Sequence, residues 1–298
     1  MQQLQLNRRE ATLFGCDYLK TRGIESYQTD SAVLLAHSSG LDKIHIITDS
    51  EKIVSSEDFE RFTALLKKRA ENAPLAYLTG EREFYSLLFK VEKHVLIPRP
   101  DTEILVEAVL NKIPKNERDC EILEIGTGSG CISVAIAKNC ENAIITATDI
   151  SLDALEIARK NAEINSVIDR VKFILSDLYK EINEEKFDII VSNPPYIPSG
   201  EIDELDEDIR LYEPKNALDG GLDGLDFYRK LIAEGKQLLK LSGIFFFEIG
   251  YNQARSVSKI LEENEFENVT VMKDYAGHDR VITANKRELH RRKECSTN

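Results

Sequence analysis

The chain has 298 residues, which is enough for two domains of ordinary size. Hydrophobic residues make up 42% and charged residues 31%, so a buried core can form beneath a charged surface. The 39 Lys and Arg residues are outnumbered by 52 Asp and Glu residues. The resulting net charge of −13 argues against a protein that coats DNA or RNA, because phosphate binding needs a basic surface.

The sequence predicts neither a membrane span nor a metal site. No apolar run approaches the ~20 residues that cross a bilayer, and the first residues lack the apolar stretch of a signal peptide. The cysteines show no Cys-x-x-Cys spacing, which argues against a disulfide framework and a zinc site. They are Cys16, Cys120, Cys131, Cys140 and Cys295. We expect buried, reduced thiols and a cytoplasmic location.

Residues 1–76 predict a small helical domain. Apolar residues recur at helical spacing over 8–23, 31–39 and 57–72, and no strand pattern precedes about residue 81. Just before the third segment, Ser55 with Asp58 resembles a capping box.

An aromatic, β-favouring segment follows the helical part. Residues 84–91 (FYSLLFKV) predict a hairpin, so that 77–96 forms a β-hairpin linker between two domains. Pro98 and Pro100 then bar a helix, and Asp101 can cap the helix that begins immediately afterwards.

Strands and helices alternate from Cys120 onwards. The strand candidates are 121–125, 144–149, 171–175, 188–192 and 244–248. The helix candidates are 130–138, 152–165, 225–241 and 253–264. This alternation predicts an α/β fold with a doubly wound, mostly parallel sheet. Two closely connected strands, 267–272 and 280–284, complete seven strands as an antiparallel hairpin at the edge. The domain covers 97–285, and a basic, flexible tail follows at 286–298.

A glycine-rich loop follows the first strand of this alternation. Residues 124–130 (EIGTGSG) allow backbone to approach a ligand closely and permit a sharp turn into a helix. A dinucleotide fingerprint needs a glycine where Cys131 stands, and no Gly-Lys-Ser/Thr of a P-loop is present. An acid before Gly-x-Gly-x-Gly resembles the cofactor loop of S-adenosylmethionine-dependent methyltransferases.

Acidic residues at strand ends fit such a cofactor. Asp149 ends the second strand, where a carboxylate can accept both ribose hydroxyls. Asp177 follows the third strand and could accept from an adenine amino group, with Leu178 beside the ring. Either acid by itself could instead be a helix cap or a loop carboxylate. Glu124 could orient the glycine loop through hydrogen bonds.

The fourth strand leads into Asn193-Pro194-Pro195-Tyr196 at the edge where open α/β sheets bind ligands. Consecutive prolines make this turn stiff, so the Asn193 side chain and the Pro194 carbonyl are two fixed acceptors. Together they could grip a planar NH2 group, while Tyr196 stacks on it. The alternative is a merely rigid turn.

This pair of acceptors selects a chemistry. An amide or aryl-amine nitrogen is a poor nucleophile, because its lone pair is delocalised. Two acceptors on its hydrogens favour a pyramidal nitrogen with a more available lone pair. A sulfonium cofactor provides an activated methyl group, so the loop contributes positioning and electrostatics rather than a strong base.

The connection 197–224 is long and contains many acids and several glycines. Such loops are often lids or binding elements, although a solvated surface excursion explains the composition equally well.

These motifs together resemble those of the protein-(glutamine-N5) methyltransferases, specifically the release factor glutamine methyltransferase (PrmC or HemK) family. The resemblance covers nearly the whole chain. Its narrower markers are the helical front domain and the stretch Arg99-Pro100-Asp101-Thr102-Glu103. Further matching segments are 80–85 (GEREFY), 212–214 (YEP), 217–221 (ALDGG) and 223–228 (DGLDFY).

The resemblance implies methylation of the glutamine in the Gly-Gly-Gln motif of class 1 peptide chain release factors, with S-adenosyl-L-methionine as cofactor. It implies a helical domain that recognises this protein substrate, no membrane and no direct nucleic-acid binding, and we expect a monomer. The implied cofactor contacts are Gly126, Thr127, Gly128, Ser129, Gly130, Asp149, Leu178 and Asn193, with Arg99 and Pro100 at the cofactor entrance. Asp177 is added as a cofactor contact because of its position after the third strand. The implied glutamine contacts are Asn193, Pro194, Pro195 and Tyr196, of which Asn193, Pro194 and Tyr196 are catalytic. Leu178 stands where relatives often have an aromatic residue, so it can contact adenine but not stack on it.

Alternative functions stay open at this point. A glutamine methyltransferase of a ribosomal protein shares the Asn-Pro-Pro-Tyr loop but usually lacks the Arg-Pro-Asp-Thr-Glu stretch. A nucleic-acid adenine-N6 methyltransferase needs a basic track and a pocket for a flipped base, and the net charge of −13 weighs against it. A cofactor-binding sensor would not need an intact Asn-Pro-Pro-Tyr loop.

Overall fold

The computed structural model describes residues 6–114, 118–183 and 186–287, which form two compact units. The first unit runs to Glu81 and also contains Leu205–Glu213, and the second contains Arg82–Glu204 and the chain from Pro214 onwards. The predicted tail lies outside the described residues from position 288, as does Cys295. Among the described residues, no helix has the length and apolar character needed to cross a bilayer.

Helices and strands are numbered in chain order. The helices are α1 Arg8–Lys20, α2 Tyr27–Ser38, α3 Lys43–Thr48, α4 Ser56–Ala70, α5 Leu75–Thr79, α6 Glu103–Leu110, α7 Cys131–Asn139, α8 Leu152–Ile164, α9 Glu207–Tyr212, α10 Asp226–Gly235 and α11 Ala254–Glu263. The strands are β1 Glu81–Phe84, β2 Leu87–Lys90, β3 Cys120–Ile125, β4 Ala143–Asp149, β5 Val171–Leu175, β6 Phe187–Ser192, β7 Leu239–Glu248, β8 Phe266–Lys273 and β9 Asp279–Lys286.

The first unit is helical, as the apolar spacing predicts. Its core is built around Phe62 together with Leu19 of α1, Leu34 and Leu35 of α2 and Leu66 of α4, which are fully or almost fully buried. Gly15 allows close packing, because a Cβ there would lie 2.3 Å from Ser31 Oγ. A buried ion pair between Asp30 and Arg69, at 2.7 Å, joins α2 to α4. The N-terminus of α4 has one half of the predicted capping box, with the Ser55 side chain accepting from Asp58 N.

Part of the long connection 197–224 returns to the first unit. Helix α9 attaches there through the Tyr212 hydroxyl, which donates to Glu71 O at 2.8 Å. Asn72 Nδ2 also donates to Glu207 Oε2 at 2.7 Å. The central part of this connection therefore packs on the helical unit rather than forming a purely solvated excursion.

The second unit is built on one seven-stranded sheet with the order β5-β4-β3-β6-β7-β9-β8. Strands β5, β4, β3, β6 and β7 are parallel, and β9 is antiparallel to both β7 and β8. The predicted doubly wound fold with an antiparallel edge hairpin is confirmed. Strand order reverses between β4 and β6 on either side of β3, so the carboxyl ends of these three strands form the crevice where such sheets bind ligands.

Besides the return of Leu205–Glu213 to the first unit, the contacts divide the chain differently from the predicted domains at the hairpin. The hairpin β1–β2, predicted as a linker, packs into the core of the second unit through the fully buried Phe84 and Phe89. The Asn161 side chain fixes this arrangement, since it accepts from Lys90 N at 2.7 Å and donates to Lys90 O at 2.9 Å. Phe84 and Phe89, which the sequence pattern places in a linker, are thus part of the core of the second unit.

Two local predictions need correction, and the pattern misses some short helices. Helix α10 ends at Gly235 instead of continuing to 241, because residues from Leu239 join β7. Asp101 does not cap a helix; it lies in a 3-10 turn, and its carboxylate pairs with Arg280 at 3.2 Å. The short helices α3 and α5 were not predicted, because one turn and a half carries too little periodicity.

We predict that Phe89→Ala destabilises the second unit by about 3–5 kcal/mol, because it leaves a cavity beside Phe84 in the core. Amide hydrogen exchange in β3 and β4 reports the stability of this unit. Leu88→Ala is the matched control, since Leu88 is the neighbour on β2 and is 46% exposed. Equal, small effects of both substitutions would contradict the assignment of the hairpin to this core.

Candidate active site

A cavity of about 340 Å³ lies at the carboxyl ends of the parallel strands, entirely within the second unit. Its volume falls within the range of about 300–1,000 Å³ that is usual for small-molecule sites. The predicted site residues that line it are Arg99, Gly126, Thr127, Gly128, Ser129, Asp149, Asp177, Leu178, Asn193, Pro194 and Pro195. The fold therefore brings most of the predicted site residues together.

The glycine loop between β3 and α7 has the backbone conformation that its sequence requires. Gly128 and Gly130 have φ angles of +56° and +80°, which side chains with a Cβ rarely adopt. At Gly130 a Cβ would also come within 3.0 Å of Ala158 on α8. Gly130 thus serves the close packing of α8 against the loop, and it does not line the cavity.

Glu124, near the end of β3, anchors this loop through hydrogen bonds. Its carboxylate is fully buried, and Oε2 accepts hydrogen bonds from Thr127 Oγ1 at 2.8 Å and from the backbone N and side-chain Oγ of Ser133. Burial raises the pKa of Glu124 to about 7, although these hydrogen bonds act in the opposite direction. Glu124 therefore holds the loop in shape, in the way that its position before the glycines suggests.

Asp149 ends β4 beside the same loop. Its Oδ2 accepts from Gly128 N at 2.8 Å and its Oδ1 accepts from Ser151 N at 2.9 Å. Each oxygen keeps a further lone pair with which it can accept another hydrogen bond. Burial raises the pKa of Asp149, with the backbone hydrogen bonds opposing it. The backbone thus orients this carboxylate in the cavity wall.

Asp177 and Leu178 follow β5 and reach the other side of the cavity. The Asp177 carboxylate pairs with Lys180 at 2.5 Å, and half of its side chain is exposed. Leu178 has a φ of +53°, a conformation uncommon for a branched apolar residue. This strained turn presents an apolar side chain to the cavity.

The Asn-Pro-Pro-Tyr loop is tied to its neighbours on both sides. Ser192 Oγ donates to Ile125 O at 2.7 Å, which joins the end of β6 to the end of β3. Gln253 Nε2 donates to Tyr196 O at 2.9 Å. Asn193 Nδ2 donates to Thr102 Oγ1 at 3.2 Å, so Oδ1 is the atom of this amide that is left to accept from a ligand.

Two of the predicted contact residues, Tyr196 and Pro100, do not line the cavity. The Tyr196 hydroxyl donates to Glu248 Oε1 at 3.4 Å, and burial raises the pKa of this phenol. Tyr196 is therefore attached to the carboxyl end of β7, next to the cavity rather than in its wall.

Several residues of this region escape prediction from the sequence. Glu248 ends β7 with only 2% exposure and accepts from Thr102 Oγ1 at 2.6 Å. Arg280 pairs with Asp101 at 3.2 Å and with Asp274 at 3.1 Å near the same carboxylate. Phe227 and Lys230 of α10 also line the cavity. An acid at the end of an apolar strand was the available signal for Glu248, but its partners are distant in the chain.

The described residues contain no group of three or more His, Cys, Asp or Glu side chains placed to hold a metal ion. Cys131 lies in the cavity wall, and burial raises the pKa of its thiol to about 12, so it stays protonated at neutral pH.

A seven-stranded sheet of this order, with a glycine loop after β3 and an Asn-Pro-Pro-Tyr loop after β6, defines an α/β methyltransferase of Rossmann-like fold. The family model described as the methyltransferase small domain matches residues 100–208, and the PrmC N-terminal domain matches 10–80. A solved methyltransferase structure from Pyrococcus furiosus shares this fold, with a TM-score of 0.52 and 21% identity over 75% of this chain and 97% of that one.

Curated relatives identify the particular family. A release factor glutamine methyltransferase from Clostridium acetobutylicum is 41% identical over 93% of this chain and 97% of its own length. Another of the same name from Rhodopirellula baltica is 40% identical over 91% of this chain and 93% of its own length. The chain belongs to the release factor glutamine methyltransferase family.

We predict that Glu124→Gln flattens the pH dependence of stability. The folded-state pKa of about 7 lies above the ordinary value of 4.5, so the folded chain binds this proton more tightly than the unfolded chain. The stabilising contribution of that proton is complete below the ordinary pKa and is lost as the pH rises through about 7.

Glutamine keeps an acceptor oxygen but cannot ionise, so the variant should lose less unfolding free energy than the wild type between about pH 5 and pH 8. Urea denaturation at stepped pH measures this difference. Glu121→Gln, an exposed position on the same strand, is the control. A wild-type slope in Glu124→Gln would show that the buried carboxyl does not titrate in this range.

Proposed function

We propose that the protein transfers the methyl group of S-adenosyl-L-methionine to the side-chain amide nitrogen of the glutamine in the Gly-Gly-Gln motif of class 1 release factors. The observation that carries this proposal is the presence, in one cavity, of the glycine loop with Asp149 and of the Asn193–Pro194 acceptor pair. The first set suits a nucleoside, and the second suits a planar NH2 group.

The residues present fit this cofactor. The two Asp149 oxygens are oriented by backbone donors and retain lone pairs for the two ribose hydroxyls. Gly126 and Gly128 have no side chains, and the space that a Cβ would occupy at either position is open, with no atom within 4 Å. A ligand can therefore approach the backbone of this loop closely. Leu178 and Asp177 would hold the adenine, and Arg99 would border the cofactor entrance. When bound, the cofactor supplies an activated methyl group on a positively charged sulfur.

The chain's own residues would prepare the acceptor nitrogen. Asn193 Oδ1 and the Pro194 carbonyl are hydrogen-bond acceptors, and each would take one hydrogen of the glutamine NH2 group. This directs the nitrogen and reduces delocalisation of its lone pair into the carbonyl. Thr102 accepts from the Asn193 side chain, and Ser192 and Tyr196 on either side of the loop are also hydrogen-bonded, so little reorganisation should accompany transfer.

The choice of protein substrate rests on the relatives, whose names specify release factors. The net charge of −13 further disfavours a nucleic-acid acceptor. We propose the helical unit as the part that recognises the protein substrate, and the cytoplasm as the place of action, since release factors act in translation. Pro195 and Tyr196 are proposed as further glutamine contacts, with Tyr196 the less direct because it lies behind the cavity wall.

Incubation with cofactor labelled in the methyl group should decide between the candidate substrates. We expect label in a class 1 release factor, and none in a release factor whose Gly-Gly-Gln glutamine is changed to alanine. A glutamine-bearing large-subunit ribosomal protein and an adenine-containing DNA duplex are the parallel acceptors. Label in either of these, with none in the release factor, would overturn the proposal.

We predict that Asp149→Ala weakens cofactor binding on the order of 10- to 100-fold, because two hydrogen bonds to an ionised acceptor are lost. Isothermal titration calorimetry measures this affinity directly. Glu156→Ala removes an equal charge from an exposed position on the neighbouring helix α8 and should leave it unchanged. Unaltered affinity in Asp149→Ala would remove this carboxylate from the cofactor site.

A further inference from the structure

We propose that Thr102 and Glu248 are positioning residues that fix the orientation of the Asn193 side-chain amide. In this arrangement the Thr102 hydroxyl donates a hydrogen bond to Glu248, Asn193 Nδ2 donates to Thr102 Oγ1, and the Asn193 oxygen is left for the methyl acceptor. This inference rests on the proposed function, since it concerns how the same site holds an NH2 group.

The three side chains come from different elements of the second unit. Thr102 precedes α6, Asn193 follows β6 and Glu248 ends β7. Thr102 Oγ1 lies 2.6 Å from Glu248 Oε2, and Asn193 Nδ2 lies 3.2 Å from Thr102 Oγ1. Thr102 and Glu248 are each only 2% exposed, so the hydrogen bond between them is shielded from water.

The direction of the chain follows from which groups can donate. An ionised carboxylate can only accept hydrogen bonds, so the Thr102 hydroxyl must donate its one hydrogen to Glu248. The hydroxyl oxygen can then only accept, and the one part of the Asn193 amide that can donate to it is the NH2 group. The opposite orientation would place the Asn193 oxygen against a lone pair and its NH2 group against the NH2 group of the acceptor.

The surroundings of Glu248 determine how far this carboxylate ionises. Burial raises its pKa to about 7, opposed by the hydrogen bond from Thr102 and the positive charge of Arg280. Asp101 acts in the same direction as burial, and the Tyr196 hydroxyl opposes it by donating to Oε1.

Two further titratable groups face this carboxylate. They are the phenol of Tyr228 on α10, which donates to the backbone carbonyl of Glu248 at 2.7 Å rather than to its carboxylate, and the thiol of Cys131 on α7. Loss of the Glu248 proton fixes the direction of the hydrogen bonds, so turnover should rise with pH through about 7.

Protonation removes the constraint. A neutral Glu248 carboxyl can donate a hydrogen bond to Thr102. The Thr102 hydroxyl can then donate to the Asn193 oxygen instead, so the Asn193 amide group can rotate into the opposite orientation. Glu248→Gln mimics this state at every pH, because the glutamine amide can also donate. The Glu248→Gln enzyme should therefore be slow and should lack the rise in turnover near pH 7 that the wild type shows.

Methyl transfer to a release factor by three threonine variants tests the role of the hydroxyl. Thr102→Val should lower kcat on the order of 10- to 100-fold, while calorimetric cofactor affinity stays within about twofold of the wild type. Thr102→Ser keeps the hydroxyl and should recover most of the rate. Thr283→Val, a buried threonine on β9 that does not line the cavity, controls for the loss of a buried hydroxyl.

The outcomes separate the two proposals. A wild-type protein that does not methylate release factor refutes the proposed function itself. An active wild type together with an unimpaired Thr102→Val, or with Thr102→Ser as slow as Thr102→Val, overturns the positioning role. The same holds if Thr102→Val loses cofactor affinity or thermal stability in proportion to its rate, or if Glu248→Gln retains the wild-type pH profile.

Discussion

The hydrogen bonds that join the ends of three neighbouring parallel strands are the constraint on which the rest of the site depends. Gly126 N and Thr127 N donate to Thr148 O at the end of β4, and Ser192 Oγ donates to Ile125 O at the end of β3. Because β3 lies between β4 and β6, these bonds hold the glycine loop, Asp149 and Asn193 at one edge of the sheet. The residues proposed to bind the cofactor and those proposed to bind the acceptor therefore lie at the same edge of the sheet.

Two buried carboxylates stabilise the loops that extend from this edge. Glu124 supports the glycine loop from β3, and Glu248 supports Thr102 and Tyr196 from the end of β7. Burying a carboxylate is unfavourable unless it is hydrogen-bonded, and in both cases hydroxyl groups supply the donors. The pKa of each is raised to about 7 by that burial, so we expect the hydrogen bonds that both accept to depend on pH near neutrality.

Local pattern was sufficient for most of the fold. The seven strands were predicted because each is a short apolar run between turn residues, and the glycine and Asn-Pro-Pro-Tyr loops because their residue types restrict the backbone directly. The errors have physical causes. Helix α10 and β7 follow each other without a clear break in the sequence pattern. The aromatic residues of β1 and β2 resemble a connection in sequence, but in the structure they pack in the core of the second unit, where Asn161 is hydrogen-bonded to β2.

The sequence by itself determined the α/β class, the two loops and the chemistry for which they are suited, because these follow from residues adjacent in the chain. Only the tertiary structure decided that Tyr196 lies behind the cavity wall and that α9 joins the helical unit. It also decided that Glu248 meets Thr102, which lies 146 positions earlier in the chain. Such contacts depend on strand order and on which side chains a shared burial brings together, and no local spacing encodes them.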